Sequence, residues 1–145
     1  MIPFVPPNTF IADYMAMMED QETPKIYDFI CACWCLSVAM GRDVIVDRPR
    51  APVHLNMYVI LVSESGIMRK STSIRIATSL VRDFLSKSRS SMLLFESKTT
   101  MGMLLNELSR SSQQNGSSQA VLVASELAAV LGRGGGLAGL PALLT

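Results

Sequence analysis

Apolar residues recur in two rhythms along this chain, and the change falls near residues 48–52. Ahead of it the spacing is helical. Pro6-Pro7-Asn8 interrupts regular structure and offers Asn8 or Thr9 as an N-cap. Phe10, Ile11, Tyr14, Met15 and Met18 then fall on one face, which predicts a helix from Phe10 to about Asp20. Thr23 suits a second N-cap, Pro24 the first helical position and Gly41 the residue past the end. This predicts a helix over Pro24–Met40, with Ile26, Phe29, Ile30, Cys33, Trp34, Ser37 and Val38 facing inward. Val44–Val46 fits a short strand. Arg48-Pro49-Arg50-Ala51-Pro52 reads as a loop, and it divides a helical lead-in, 1–48, from a second region, 49–145.

In the second region strands and helices alternate. Met57–Val62, MYVILV, is an unbroken apolar run rich in β-branched residues, the pattern of a central parallel strand covered on both faces. A loop over 63–70 leads to a helix over about Ser71–Ser86, with Ile74, Ala77, Leu80, Val81, Phe84 and Leu85 on one side. Met92–Phe95 is a second strand. Thr99 or Thr100 caps a helix to about Ser111, and SSQQNGSSQ (111–119) reads as a mobile polar loop. Ala120–Ala124 is a third strand, a short helix starts at Glu126-Leu127, and Gly132-Arg133-Gly134-Gly135-Gly136 is flexible. Strand–helix alternation of this kind predicts an α/β fold with a parallel sheet.

Composition narrows the picture. With 49% hydrophobic and 17% charged residues the chain can bury a core, and a formal net charge of +1 is unlike a strongly basic nucleic-acid module. The most apolar early run, Phe29–Met40, is shorter than the roughly 20 residues a membrane span needs, so no membrane partner is expected. The N-terminus lacks the pattern of a signal peptide. All three cysteines lie in CACWC (31–35), which fits a reducing, cytoplasmic setting better than a disulfide framework. Their spacing inside a predicted helix favours core packing over zinc ligation.

The candidate chemistry lies in SESGIMRKSTS (63–73). A phosphate loop needs converging backbone N–H groups, a helix N-terminus and a lysine, followed by a hydroxyl that reaches magnesium. Here a strand, a loop with Gly66, Lys70 and Ser71 come in that order. The spelling departs from GxxxxGK[ST], because Glu64 and Arg69 take the two glycine positions. Arg69 suits its place if its torsion is ordinary, and its charge then adds to the field on the phosphates. Glu64 must point away, or its carboxylate repels the phosphates and the site is weak. A second element, the apolar strand VLVASE ending at Glu126, matches a carboxylate at the tip of a neighbouring strand beside the γ-phosphate. The alternatives are a basic turn before a helix, and an acid that favours the next helix N-terminus.

LNMYVILVSESGIMRKSTSIRIA and VLVASELAAVLGRGGG resemble the two nucleotide motifs of a family of P-loop ATPases associated with helicases and primases in phage, prophage and plasmid replication modules. The segment from Thr23-Pro24 to Val44 resembles that family's lead-in, and Ser97-Lys98-Thr99-Thr100 through Leu105 its threonine-then-helix element. The resemblance implies a P-loop NTPase core with a RecA/AAA-like parallel sheet, and ATP and Mg2+ as ligands. It implies that Ser65, Gly66, Ile67, Met68, Arg69, Lys70, Ser71 and Thr72 hold the nucleotide. Lys70 would contact the β/γ-phosphates, Ser71 would ligate magnesium with Ser125 and Glu126 beside it, and Glu126 would activate water. Ser125 stands where many such enzymes carry aspartate, so slow hydrolysis is expected. DNA as a partner and assembly into a homo-oligomeric ring are further implications. So is a missing sensor strand after Thr145, which would leave a gap in the sheet and a fragment prone to association. The competing readings are a nucleotide-binding module without efficient turnover and a truncated structural piece.

Overall fold

The computed structural model describes residues 2–64, 68–96 and 99–124. Within them the chain is mixed α/β, with helices α1 (Phe10–Met17), α2 (Lys25–Met40), α3 (Lys70–Lys87) and α4 (Met101–Asn115) and strands β1 (Ile45–Val46), β2 (Val53–His54), β3 (Leu93–Glu96) and β4 (Ala120–Val123). It falls into two compact units, Met1–Phe84 and Leu85–Thr145.

In the first unit α1 packs on α2. Thr9 caps α1, its hydroxyl accepting from the Ala12 N–H. The helix ends earlier than its apolar pattern suggests, and Glu19–Gln21 tighten into a 3-10 turn that closes at Glu22 in the left-handed conformation. Gly41 ends α2 as expected, with φ of 52° and its N–H on the Ser37 carbonyl. The core joins Tyr14 of α1 and Met18 just past its end, Cys31, Ala32, Cys35 and Val38 of α2, and Ala77 and Val81 of α3. The Cys35 thiol reaches the Ala77 carbonyl at 3.7 Å.

Two expectations change here. The buried face of α2 carries Asp28, Cys31, Ala32, Cys35 and Val38, whereas Ile26 is exposed and Cys33 and Trp34 are only half-buried. The face is rotated because a carboxylate, Asp28, is fully buried, and an apolar pattern gives such a residue no weight. Among the described residues, 57–62 pair with no strand. They alternate, with Val59 and Leu61 half-buried and Tyr58, Ile60 and Val62 exposed. Side chains, rather than a neighbouring strand, meet carbonyls of this segment and its flanks: Ser37 Oγ donates to Leu55, Tyr27 Oη to Val62 at 2.7 Å and Lys70 Nζ to Ser63 at 3.1 Å. The loop over 48–52 lies between β1 and β2, which pair antiparallel.

The second unit contains the parallel pair that alternation predicted. β3 and β4 run side by side in register from Leu93 opposite Ala120 to Glu96 opposite Val123, joined through α4. Thr100 caps α4 by accepting from the Met103 N–H. The helix continues to Asn115, through the first half of the expected polar loop, and stops at Gly116 with φ of 66°, a torsion glycine adopts without strain. The return to β4 is pinned: Ser118 Oγ donates to the Leu108 carbonyl at 2.9 Å and Ser111 Oγ to that of Ser117 at 3.2 Å.

Candidate functional site

The start of α3 is where the sequence puts its chemistry. The helix begins at Lys70, directly after Met68 and Arg69, both exposed. The Thr72 and Ser73 N–H groups donate to the Arg69 carbonyl, at 2.9 and 3.4 Å. The amides ahead of them have no carbonyl one turn back within the helix, as at any helix N-terminus, and the helix dipole adds positive potential there.

Arg69 has φ of 40°, in the left-handed region. The condition on which arginine suits this position, an ordinary torsion, is therefore not met. This position takes a glycine-like conformation although its residue is arginine, a geometry that is uncommon for a side-chain-bearing residue. Its guanidinium pairs with Glu22 at 2.5 Å, with both side chains largely exposed. An exposed pair of this kind contributes about 0–1 kcal/mol. Its main consequence is to place the Arg69 charge over the turn that precedes α2.

Lys70 is half-buried, and its ammonium folds back onto the Ser63 carbonyl at the other end of the loop. The contact ties the first residue of α3 to Ser63. Ser71 is exposed at the helix start, and Thr72 is half-buried. Glu64 is exposed, and the Ser63 hydroxyl donates to its carbonyl at 3.2 Å. Ser65, Gly66 and Ile67 lie outside the described residues, as do Ser125 and Glu126, so the described part of the site consists of Met68, Arg69, Lys70, Ser71 and Thr72.

Beneath this turn is a polar centre that sequence reasoning missed. Asp28 and Ser73 are both 0% exposed, and the Ser73 hydroxyl donates to Asp28 Oδ1 at 3.3 Å. The Thr23 hydroxyl reaches both Asp28 oxygens, at 2.7 and 2.8 Å. Thr23 was expected to cap α2 through its own oxygen. Pro24 takes the N-cap position instead, and Thr23 donates to the carboxylate. A buried carboxylate is costly without donors. Here hydroxyl donors and the positive end of α2, in whose first turn Asp28 lies, offset that cost. The available signal was a Thr at the helix entry with an acid one turn inside it.

Tyr14 and two thiols lie near Asp28. Burial, then the neighbouring thiols and Asp28, push the Tyr14 hydroxyl well above its usual range, and its oxygen has no hydrogen-bond partner among the described residues. Burial raises Cys31 to about 11, with Asp28 adding to the shift, and raises Cys35 to about 12. Both thiols are therefore protonated and poorly nucleophilic at neutral pH. Among the described residues no group of histidine, cysteine, aspartate and glutamate side chains is arranged to hold a metal ion, and no helix is long and apolar enough to cross a membrane.

A separate groove of about 340 Å³ lies between α2 and residues 54–57, lined by Cys33, Leu36, Met40, Leu55 and Met57 among others. It carries no lysine or arginine and does not suit a phosphate. Comparison with protein-family models, with curated proteins and with solved structures finds no match for this chain.

Proposed function

We propose that this chain binds a nucleoside triphosphate, ATP in the first instance, at the start of α3, as the core of a P-loop ATPase of the replication-helicase type. The observation that carries the reading is the contact of Lys70 with Ser63. A lysine at the first position of an 18-residue helix reaches back to the carbonyl of Ser63, so that its ammonium, the helix-start amides and the Ser71 hydroxyl belong to one turn. An anion arriving there exchanges a neutral carbonyl for phosphate oxygens as the partner of Lys70, a stronger charge-assisted contact. The parallel β3–β4 pair joined through a helix is compatible with such a core.

Ser71, exposed and adjacent to Lys70, has the hydroxyl needed to hold Mg2+ in this reading, with Ser125 and Glu126 as its further partners. Bound there, the metal would supply charge neutralisation on the β/γ-phosphates. Glu126 is the residue assigned to orient the attacking water, and DNA is the polymer on which a ring of such subunits would act.

One observation favours binding without efficient turnover as the second reading. Arg69 is paired with Glu22, so its charge is partly neutralised before any phosphate arrives.

Equilibrium ATP binding, with and without magnesium, tests the proposal. Lys70→Ala is expected to weaken binding by at least about tenfold, the loss of one charge-assisted contact. Glu126→Gln is expected to keep binding and lose hydrolysis. Equal ATP affinity in Lys70→Ala and the parent would refute the site.

A further inference from the structure

We infer that Asp28 is a positioning residue for the first turn of α3, setting where the Lys70-Ser71-Thr72 segment sits. The part that concerns ligand binding rests on the nucleotide reading above. Two polar ties join the stretch before and within the first turn of α2 to the loop and first turn of α3. Glu22 with Arg69 is solvent-exposed, whereas Asp28 with Ser73 is completely buried. Only the buried one escapes competition from water and salt.

Its place in the sequence gives it leverage. Ser73 follows Lys70 by one turn of helix, and its own N–H donates to the Arg69 carbonyl. Asp28 thus holds, through the Ser73 side chain, the residue whose backbone closes on the left-handed Arg69. Thr23 holds the carboxylate from the other side, which fixes the direction in which Asp28 points at α3.

Amide hydrogen exchange separates local positioning from global stability. Ser73→Ala removes only the hydroxyl, and Asp28→Asn keeps the shape and loses the charge, so each covers for failure of the other to fold. Exchange at Thr72, residue 73 and Ile74 is expected to speed up by about tenfold in Ser73→Ala, while Val81, in the same helix, stays at its parental rate. Asp28→Asn is expected to act on the same amides, and the exposed control Ser79→Ala on none. Unchanged exchange at the first turn, or a uniform rise along α3, would overturn the inference. ATP titration of the same variants then reads the coupling. Weaker binding in Ser73→Ala, with Ser79→Ala at the parental value, supports it, and undiminished affinity in a variant whose first turn has loosened overturns the ligand-binding part. Should the parent itself fail to bind ATP while the selective exchange pattern appears, the nucleotide reading falls and the positioning of α3 by Asp28 stands.

Discussion

Residues 57–62, MYVILV, and residues 120–123, AVLV, are both unbroken apolar runs, yet only the second is hydrogen-bonded into a ladder. β4 has β3 as its neighbour, delivered in parallel through α4, and Val121 is buried beside it. The earlier run has Tyr58, Ile60 and Val62 exposed, and its Val62 carbonyl is met by the Tyr27 hydroxyl. The difference teaches that apolar continuity specifies readiness to be a strand, and that a partner edge at the right chain distance turns readiness into structure. An extended segment must still satisfy its polar backbone groups, and in the first unit hydroxyls and an ammonium meet some of them.

The comparison is broken most severely by a charge at the buried strand. Val121→Asp is expected to destabilise the second unit by about 3 kcal/mol or more, because it buries an unpaired carboxylate, whereas Ile60→Asp is expected to stay within about 0.5 kcal/mol. Urea denaturation of the two variants checks this, and equal losses would mean that Ile60 is as protected as Val121. Next comes the helix that delivers β4. Thr100→Ala removes the cap on α4 and is expected to cost about 1 kcal/mol, read as a lower melting temperature. Tyr27→Phe releases the Val62 carbonyl and is expected to cost about 0.5–1 kcal/mol, with faster exchange confined to residues near 62.

Alkaline pH is a further lever, aimed at the first unit, where all three cysteines lie. Cys31 and Cys35 lie at about 11 and about 12 in the folded chain, against the 9.0 of the unperturbed thiol. Between these values the unfolded chain holds fewer protons than the folded one, so stability falls as pH rises. The contribution is fully present below about pH 9 and is lost progressively toward pH 11–12. Exchange or thermal melts between pH 8 and pH 10.5 should show α2 loosening while β3 and β4, whose described residues include no thiol, hold. At neutral pH Cys31 and Cys35 should resist alkylation in the folded protein.

Much of the architecture was legible from residues alone. The α1 cap at Thr9, the α2 stop at Gly41 and a Thr cap before α4 follow from local chemistry that acts over one or two turns, and strand–helix alternation made β3 and β4 legible as strands of a parallel sheet. Lys70 at the head of α3 was legible for the same reason. The rotated face of α2 was not, because Asp28 is buried through hydroxyls that come from Thr23 and from the distant Ser73. The Arg69 torsion was not legible either, since an arginine sequence carries no sign of a left-handed backbone.

By itself, then, the order of residues determined where helices start and stop, which runs are apolar enough for strands, and which turn carries a lysine and a hydroxyl. Caps, periodicity and turn residues act between near neighbours, so they survive without knowledge of the fold. Tertiary structure alone decided that MYVILV pairs with no strand among the described residues, that Thr23 serves a carboxylate rather than a helix end, and that Asp28 reaches Ser73. Each of those outcomes depends on a group far along the chain arriving at hydrogen-bonding distance, which periodicity along one segment does not encode.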